Sequence, residues 1–381
     1  MPRGSAAKPD WNLEKVQAPA AWKLLAPNSG NPRDIDWEGI DVGHLDTGYT
    51  EHRIFGDWKQ SKNWIRADEG VNYMERGSKP KDPLNNGTFL YPGHGTRTAS
   101  VLCGDAHDFK KKYFLGVAPG LPIIPYRVTD SVFLREKDIR RNVANAIHEA
   151  VRCRLDVLSF SIGWPWLSFL SGRPMSKAVD AAYEQGIIMV AAGGQGIDRV
   201  VYPGKYWRTI GVGGVRFSGR LYQEYESDEL YIDVWAPADE IYRADAVRPN
   251  RKLTYKVEKS DRDAEANYGT VDSFMGSASA GSGSSISGGG DGTSYATVHV
   301  TAAAAMWLHH RGSEIEQLYG ENRWRIVEAF RTLLKASSTP LRDPAAPRNG
   351  SGYLNIRKLL TTPLPAPSDL VKKSIAAAQK F

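Results

Sequence analysis

The chain has 381 residues, 41% hydrophobic and 24% charged, the proportions of an ordinary globular protein long enough for a large α/β enzyme around one core. Its formal charge of +6 is modest and scattered, and the cluster Lys110, Lys111, Lys112 reads as a solvated loop, so no nucleic-acid partner is expected. No run approaches the roughly 20 apolar residues that span a bilayer, so no membrane partner is expected either.

The N-terminal residues 1–10 read as an extension, without the apolar core of a secretory signal. Two expectations follow: a cytoplasmic protein if the chain is full length, a secreted one if a leader was removed. From residue 39 to 215, short apolar runs alternate with helical stretches. Strands are predicted over 39–45, 122–128, 155–161, 186–192 and 209–213, and helices over 95–103, 137–152 and 176–185. This alternation predicts an α/β fold, a mainly parallel sheet between two helix layers, with chemistry at the carboxyl ends of the strands. Cys103 and Cys153 are too few for a disulfide framework or a zinc site and read as two buried, free thiols, with one bridge as the alternative.

An insertion at about 243–290 interrupts the pattern, polar and charged over 243–272, then Gly/Ser-rich over 276–290. The second part is expected to be flexible. An Ala-rich helix over 296–309, apolar on most faces and therefore expected to be buried, and a helix over 324–335 follow. The stretch 362–381 opens Pro-rich and reads as a tail outside the core.

Three places join a reactive side chain to glycine-rich turn chemistry: Leu45-Asp46-Thr47-Gly48 at a strand end, Gly93-His94-Gly95-Thr96 opening a helix, and Gly292-Thr293-Ser294-Tyr295-Ala296 before the Ala-rich helix. Each alone is most often a turn or a helix cap. Together they hold what nucleophilic catalysis needs: a serine, an imidazole to take its proton, and a carboxylate to orient the imidazole. The helix start after Ser294 adds N–H groups and partial positive charge where an oxyanion would form. The order Asp, His, Ser is that of subtilisin.

The stretch Gly93-His94-Gly95-Thr96-Arg97-Thr98-Ala99 resembles the histidine motif of subtilisin-like peptidases, and 292–304 resembles their serine motif. Val117-Ala118-Pro119, 156–163, Tyr202-Pro203, 233–237 and 16–22 are similar to further landmarks, so the resemblance spans about 11–361 and marks one subtilisin-like peptidase domain. It implies a serine endopeptidase acting on a protein or peptide substrate through an acyl-enzyme, with Asp46 orienting His94, His94 as general base and acid, and Ser294 as nucleophile. It also implies that Ser161, Ile162 and Gly163 form the strand along which substrate pairs, and that Ala192, Gly193 and Gly194 form the opposite wall of the pocket for the residue before the scissile bond. Trp164 and Trp166 imply apolar surface near the outer subsites. No cofactor is required; structural calcium, common in the family, could draw on Asp41 or the Asp105–Lys112 loop.

The family's Ala-Gly-Asn-x-Gly run reads here Ala192-Gly193-Gly194-Gln195-Gly196, so Gly194 stands where an asparagine amide normally faces the oxyanion. Gln195 carries the same amide one residue on and is the candidate oxyanion donor. Tyr295 and Val298 replace the usual Met and Pro after the nucleophile. His44 shares a strand face with Asp46 by alternation and reads as structural. His309-His310 lacks a third ligand, and 288–294 lacks the lysine of a phosphate loop. The rival readings are an inactive binding protein of the same fold, discriminated by a fluorophosphonate probe at Ser294, and a nucleic-acid binder, which predicts a salt-dependent DNA complex.

Overall fold

A computed structural model of the chain describes residues 10–85, 89–108, 113–166, 169–225, 228–246, 270–271, 291–343, 345 and 351–376. Seven strands form one sheet: β1 (Val42–Asp46), β2 (Val71–Asn72), β3 (Ile123–Arg127), β4 (Val157–Phe160), β5 (Ile188–Ala192), β6 (Ile210–Val215) and β7 (Val234–Pro237), in the spatial order β7-β6-β5-β4-β1-β3-β2. Every pairing in it is parallel. All five residues of β1, β3 and β5 are buried, as expected of strands covered on both faces. The five strands expected from apolar runs are present, each shifted by no more than three residues at either end.

Helices α1 (His94–Cys103) and α4 (Thr293–Tyr319) pack together, and α4 lies across β4, β5, β6 and β7. Ala302 to Trp307 of α4 have no exposed surface, and the small alanines let the helix approach the sheet closely. On the other side α2 (Lys137–Cys153) packs against α3 (Phe169–Glu184). α3 starts before the expected 176 and holds Pro174 inside it, and α4 runs a further ten residues beyond the expected 309. α5 (Trp324–Ser337) is tied to the sheet by Arg331, which reaches Asp233 just before β7 and bonds Glu328 at 3.1 Å.

Two expectations change. Cys103 is buried, but Cys153, the last residue of α2, is exposed; both are free thiols. The tail is docked rather than separate: Leu370 and Ala376 are buried, the Ala376 N–H donates to Asp180 on α3 at 2.8 Å, and Lys372 pairs with Glu184. The insertion is described only at 243–246 and 270–271, where Asp245–Ala246 pairs antiparallel with Thr270–Val271 and the Ala244 N–H donates to Ser100 on α1. The expected mobile run 276–290 lies outside the described residues.

Candidate active site

Parallel strands all end on one side of the sheet, so the carboxyl end of β1 brings Asp46 to the start of α1 and of α4. Asp46 has no exposed surface. Its Oδ1 accepts from the Thr47 N–H at 2.7 Å and from His94 Nδ1 at 2.7 Å. With that Nδ1–H committed to the carboxylate, His94 Nε2 presents its lone pair to Ser294 Oγ, 3.2 Å away. Burial pushes the Asp46 carboxyl up, but His94 and the Thr47 N–H outweigh it and hold the group below the ordinary carboxylate value. The three motifs singled out in the sequence therefore converge on one chain of hydrogen bonds.

Close packing explains the motif glycines. A Cβ on Gly95 would sit 2.1 Å from the Gly48 carbonyl oxygen, so the histidine helix abuts the turn after Asp46 only because residue 95 is glycine. Asp82 holds the same two segments together, and nothing in the sequence marked it. Its Oδ2 accepts from Thr47 Oγ1 at 2.6 Å and from the Gly93 N–H at 2.8 Å, while Oδ1 accepts from the Leu84 N–H. Thr47 Oγ1 in turn accepts from the Gly95 N–H at 3.0 Å. Burial dominates these donors and raises the Asp82 carboxyl above its ordinary value. Lys81 and Pro83 beside it make the residue look like any surface turn.

Ser294 is the second residue of α4, so its N–H has no acceptor within the helix and is available to a ligand. Its Oγ also lies 3.1 Å from the Ser161 carbonyl, and Ser161 Oγ donates to the Ser294 carbonyl at 3.0 Å, which fixes the start of α4 to the end of β4. The start of α4 carries no side-chain cap of its own; the Thr293 N–H instead donates to Gln195 Oε1 at 2.9 Å. The Gln195 side chain thus lies over the turn before Ser294, close enough that a Cβ on Gly292 would meet its amide atoms at 3.3 and 3.5 Å. Its amide NH₂ makes no hydrogen bond to Thr293.

The other candidate residues line the same end of the sheet. Ser161 and Ile162 are buried at the end of β4. Gly163 is placed differently from the expected open edge: its N–H donates to the Val132 carbonyl at 2.9 Å and its carbonyl accepts from the Leu134 N–H at 3.1 Å. A substrate strand could pair with Gly163 only after 132–134 moved away. Across the site the Gly193 N–H donates to Val212 and its carbonyl accepts from Val201, while the Gly194 carbonyl accepts from the Tyr225 hydroxyl. Trp166 is 58% exposed and packs edge-on with Trp164 at 5.5 Å, which agrees with an apolar outer surface.

The two described carboxylates suggested for calcium are each paired with an arginine. Asp41 is paired with Arg66, and Asp105 with Arg33 at 2.7 Å, while 109–112 lie outside the described residues. Among the described residues no group of three or more His, Cys, Asp or Glu is placed to hold a metal, His309 and His310 included. No helix among them is long and apolar enough to cross a membrane.

The model of the family described as the subtilase family matches residues 38–353. The chain is 25% identical over 370 residues to the major intracellular serine protease of Bacillus subtilis (strain 168), covering 95% of this chain and 90% of that protein. It is 27% identical over 234 residues to an intracellular serine protease of Paenibacillus polymyxa, covering 60% of this chain and 62% of that protein, under two thirds of its length. In fold it is similar to fervidolysin from Fervidobacterium pennivorans, a keratinolytic enzyme related to subtilisin, with a TM-score of 0.58 at 20% identity; the match covers 93% of this chain and 46% of that one.

Proposed function

The chain belongs to the subtilase family and is a subtilisin-like serine endopeptidase, and on that premise we propose that Asp46, His94 and Ser294 are its catalytic triad. The observation that carries the assignment is the linear arrangement Asp46 Oδ1, His94 Nδ1 and Nε2, Ser294 Oγ, with links of 2.7 and 3.2 Å.

His94 Nε2 takes the hydroxyl proton as Ser294 Oγ bonds to the substrate carbonyl carbon. The imidazolium that forms is stabilised by the Asp46 carboxylate. The carbonyl oxygen becomes an oxyanion, facing the Ser294 N–H and the Gln195 amide. His94 then gives the proton to the leaving amine, the C–N bond breaks, and an ester on Ser294 remains. Water repeats the steps: His94 takes its proton, the ester C–O bond breaks, and the proton returns to Ser294 Oγ. This chemistry uses no cofactor.

Its substrates are peptides or proteins. Ser161 and Ile162 supply the substrate-facing edge in this reading, with Ala192, Gly193 and Gly194 opposite. The names of the two intracellular relatives, together with an exposed free thiol at Cys153, support action inside the cell. The test is a fluorophosphonate probe with an unstructured protein substrate: wild type should be labelled and should cleave, and Ser294→Ala should do neither. Cleavage by a folded Ser294→Ala variant would overturn the assignment.

A further inference from the structure

His44 and Thr98 are polar groups in a place where the fold asks for apolar ones. His44 is the middle residue of β1 and is 3% exposed; Thr98 lies one turn beyond His94 on α1 and has no exposed surface. A buried imidazole and a buried hydroxyl each cost free energy unless they are hydrogen-bonded. His44 Nε2 is 3.1 Å from Thr98 Oγ1, and Thr98 Oγ1 is 3.3 Å from Asp46 Oδ2. The carbonyl oxygens of His94 and Gly95 lie at 3.1 and 3.2 Å from the same hydroxyl.

The donor count favours one direction. A threonine hydroxyl carries one proton and two lone pairs. Three of its neighbours, the Asp46 carboxylate and the two carbonyls, only accept. The remaining neighbour is His44 Nε2, which fills a lone pair only by carrying the proton. The hydroxyl proton is then free to point at an acceptor, and an ionised carboxylate oxygen attracts it more strongly than a carbonyl does.

We propose that His44 and Thr98 are positioning residues of the catalytic machinery, linked as His44 Nε2–H to Thr98 Oγ1–H to Asp46 Oδ2. This rests on the triad reading above. With Oδ1 held by Thr47 and His94 and Oδ2 held by Thr98, the carboxylate cannot turn about its Cβ–Cγ bond, and His94 keeps the orientation that serves Ser294. The titratable groups facing His44 are Asp46 and His94. Burial pushes the His44 imidazole below its ordinary value, with Asp46 opposing and His94 adding, which favours the neutral ring; the relay then needs the tautomer with its proton on Nε2.

Five variants and one measurement on the unaltered protein test this. Thr98→Val removes the hydroxyl and keeps the shape; it should lower kcat about tenfold or more with KM unchanged. Asp46 would then hold more charge against His94, so the acid limb of kcat/KM should move to higher pH. Thr98→Ser should restore most of the rate. His44→Leu should resemble Thr98→Val, and His44→Gln, which can place an amide N–H near the Nε2 position, should recover part of it. The double variant Thr98→Val, His44→Leu should be no slower than the worse single variant, because the two groups act in series. In ¹⁵N-labelled wild type, NMR should show His44 protonated on Nε2. A proton on Nδ1 instead would overturn the relay even if no variant folded. So would Thr98→Val with kcat within about threefold of wild type, or Thr98→Ser no better than Thr98→Val. If wild type itself failed to react with fluorophosphonate, the triad reading would fall first, which separates the two failures.

Discussion

Gln195 caps the start of α4 and is the proposed second donor to the oxyanion, and one substitution can separate the two. Its Oε1 accepts from the Thr293 N–H at 2.9 Å and from Thr293 Oγ1 at 3.4 Å, so it caps the helix that carries Ser294. Its NH₂ is the proposed second donor to the oxyanion. Gln195→Ala removes both, and should cost about 1 kcal/mol of stability from the lost cap and about 10² to 10³ in kcat from the lost donor. Gln195→Glu keeps an acceptor for Thr293 and sets a negative charge at a helix N-terminus, which is favourable there. It offers no N–H, however, and turns negative charge toward a developing oxyanion. It should therefore melt like wild type and lose at least as much kcat as Gln195→Ala. Steady-state hydrolysis of a chromogenic peptide ester and amide, with thermal unfolding of each variant, supplies both numbers. A Gln195→Glu enzyme with kcat within about threefold of wild type would refute the donor role. Restoring the family's asparagine at position 194 is not a route to rescue. Gly194 has φ +92, and a Cβ there would lie 2.6 Å from Val201 Cγ1, so Gly194→Asn should destabilise the protein rather than repair it.

Loss of the nucleophile or the base should be near-total: Ser294→Ala and His94→Ala are each expected to lower kcat by about 10⁶-fold, the loss known for subtilisin itself, with unfolding midpoints unchanged. A smaller loss in a clean preparation would mean another nucleophile. Asp82→Ala leaves Thr47 Oγ1 and the Gly93 and Leu84 N–H groups without their buried acceptor. It should lower stability by about 2 kcal/mol or more and kcat with it, read by urea unfolding and turnover; a neutral effect on both would show that the clamp is not needed. His299 is fully buried between Tyr295 and Asn12, and burial pushes its imidazole down to about 4. The unfolded chain therefore binds the proton first, at about pH 6.5. The stability this residue confers is complete above that pH and falls as pH drops toward 4, by about 3 kcal/mol in all. His299→Gln should flatten that part of the slope in unfolding measured at pH 7 and pH 4.5, and an unchanged slope would place the titration elsewhere.

What the sequence made legible follows from the range of each interaction. Runs such as Ile188–Ala192 need only local reading, because a strand buried on both faces must be apolar at every position. The edge strand Val71–Asn72 is two residues long and carries no period, so it exists only through its neighbour β3. β7 was visible as a landmark but not as a strand, since four residues ending in proline give no alternation to read. Asp46, His94 and Ser294 were legible because glycine turns advertise them, and those turns are required by contacts as close as Gly95 against Gly48.

Asp82 shows the opposite case. Its chemistry depends on Thr47, 35 positions away, and on Gly93, 11 positions away, and its burial comes from the path of a loop rather than from its neighbours in sequence. Gly163 belongs with it: the strand end was read correctly, but whether its backbone faced open space or segment 132–134 was not a property of strand β4 at all. Gln195 falls between the two. Its proximity to the nucleophile followed from its place after β5, but which end of the amide faced Thr293 depended on the unpaired N–H at the start of α4. That same N–H now constrains the chemistry. By taking the oxygen, it leaves the nitrogen as the atom for the proposed oxyanion contact, and a donor is what a tetrahedral intermediate needs there.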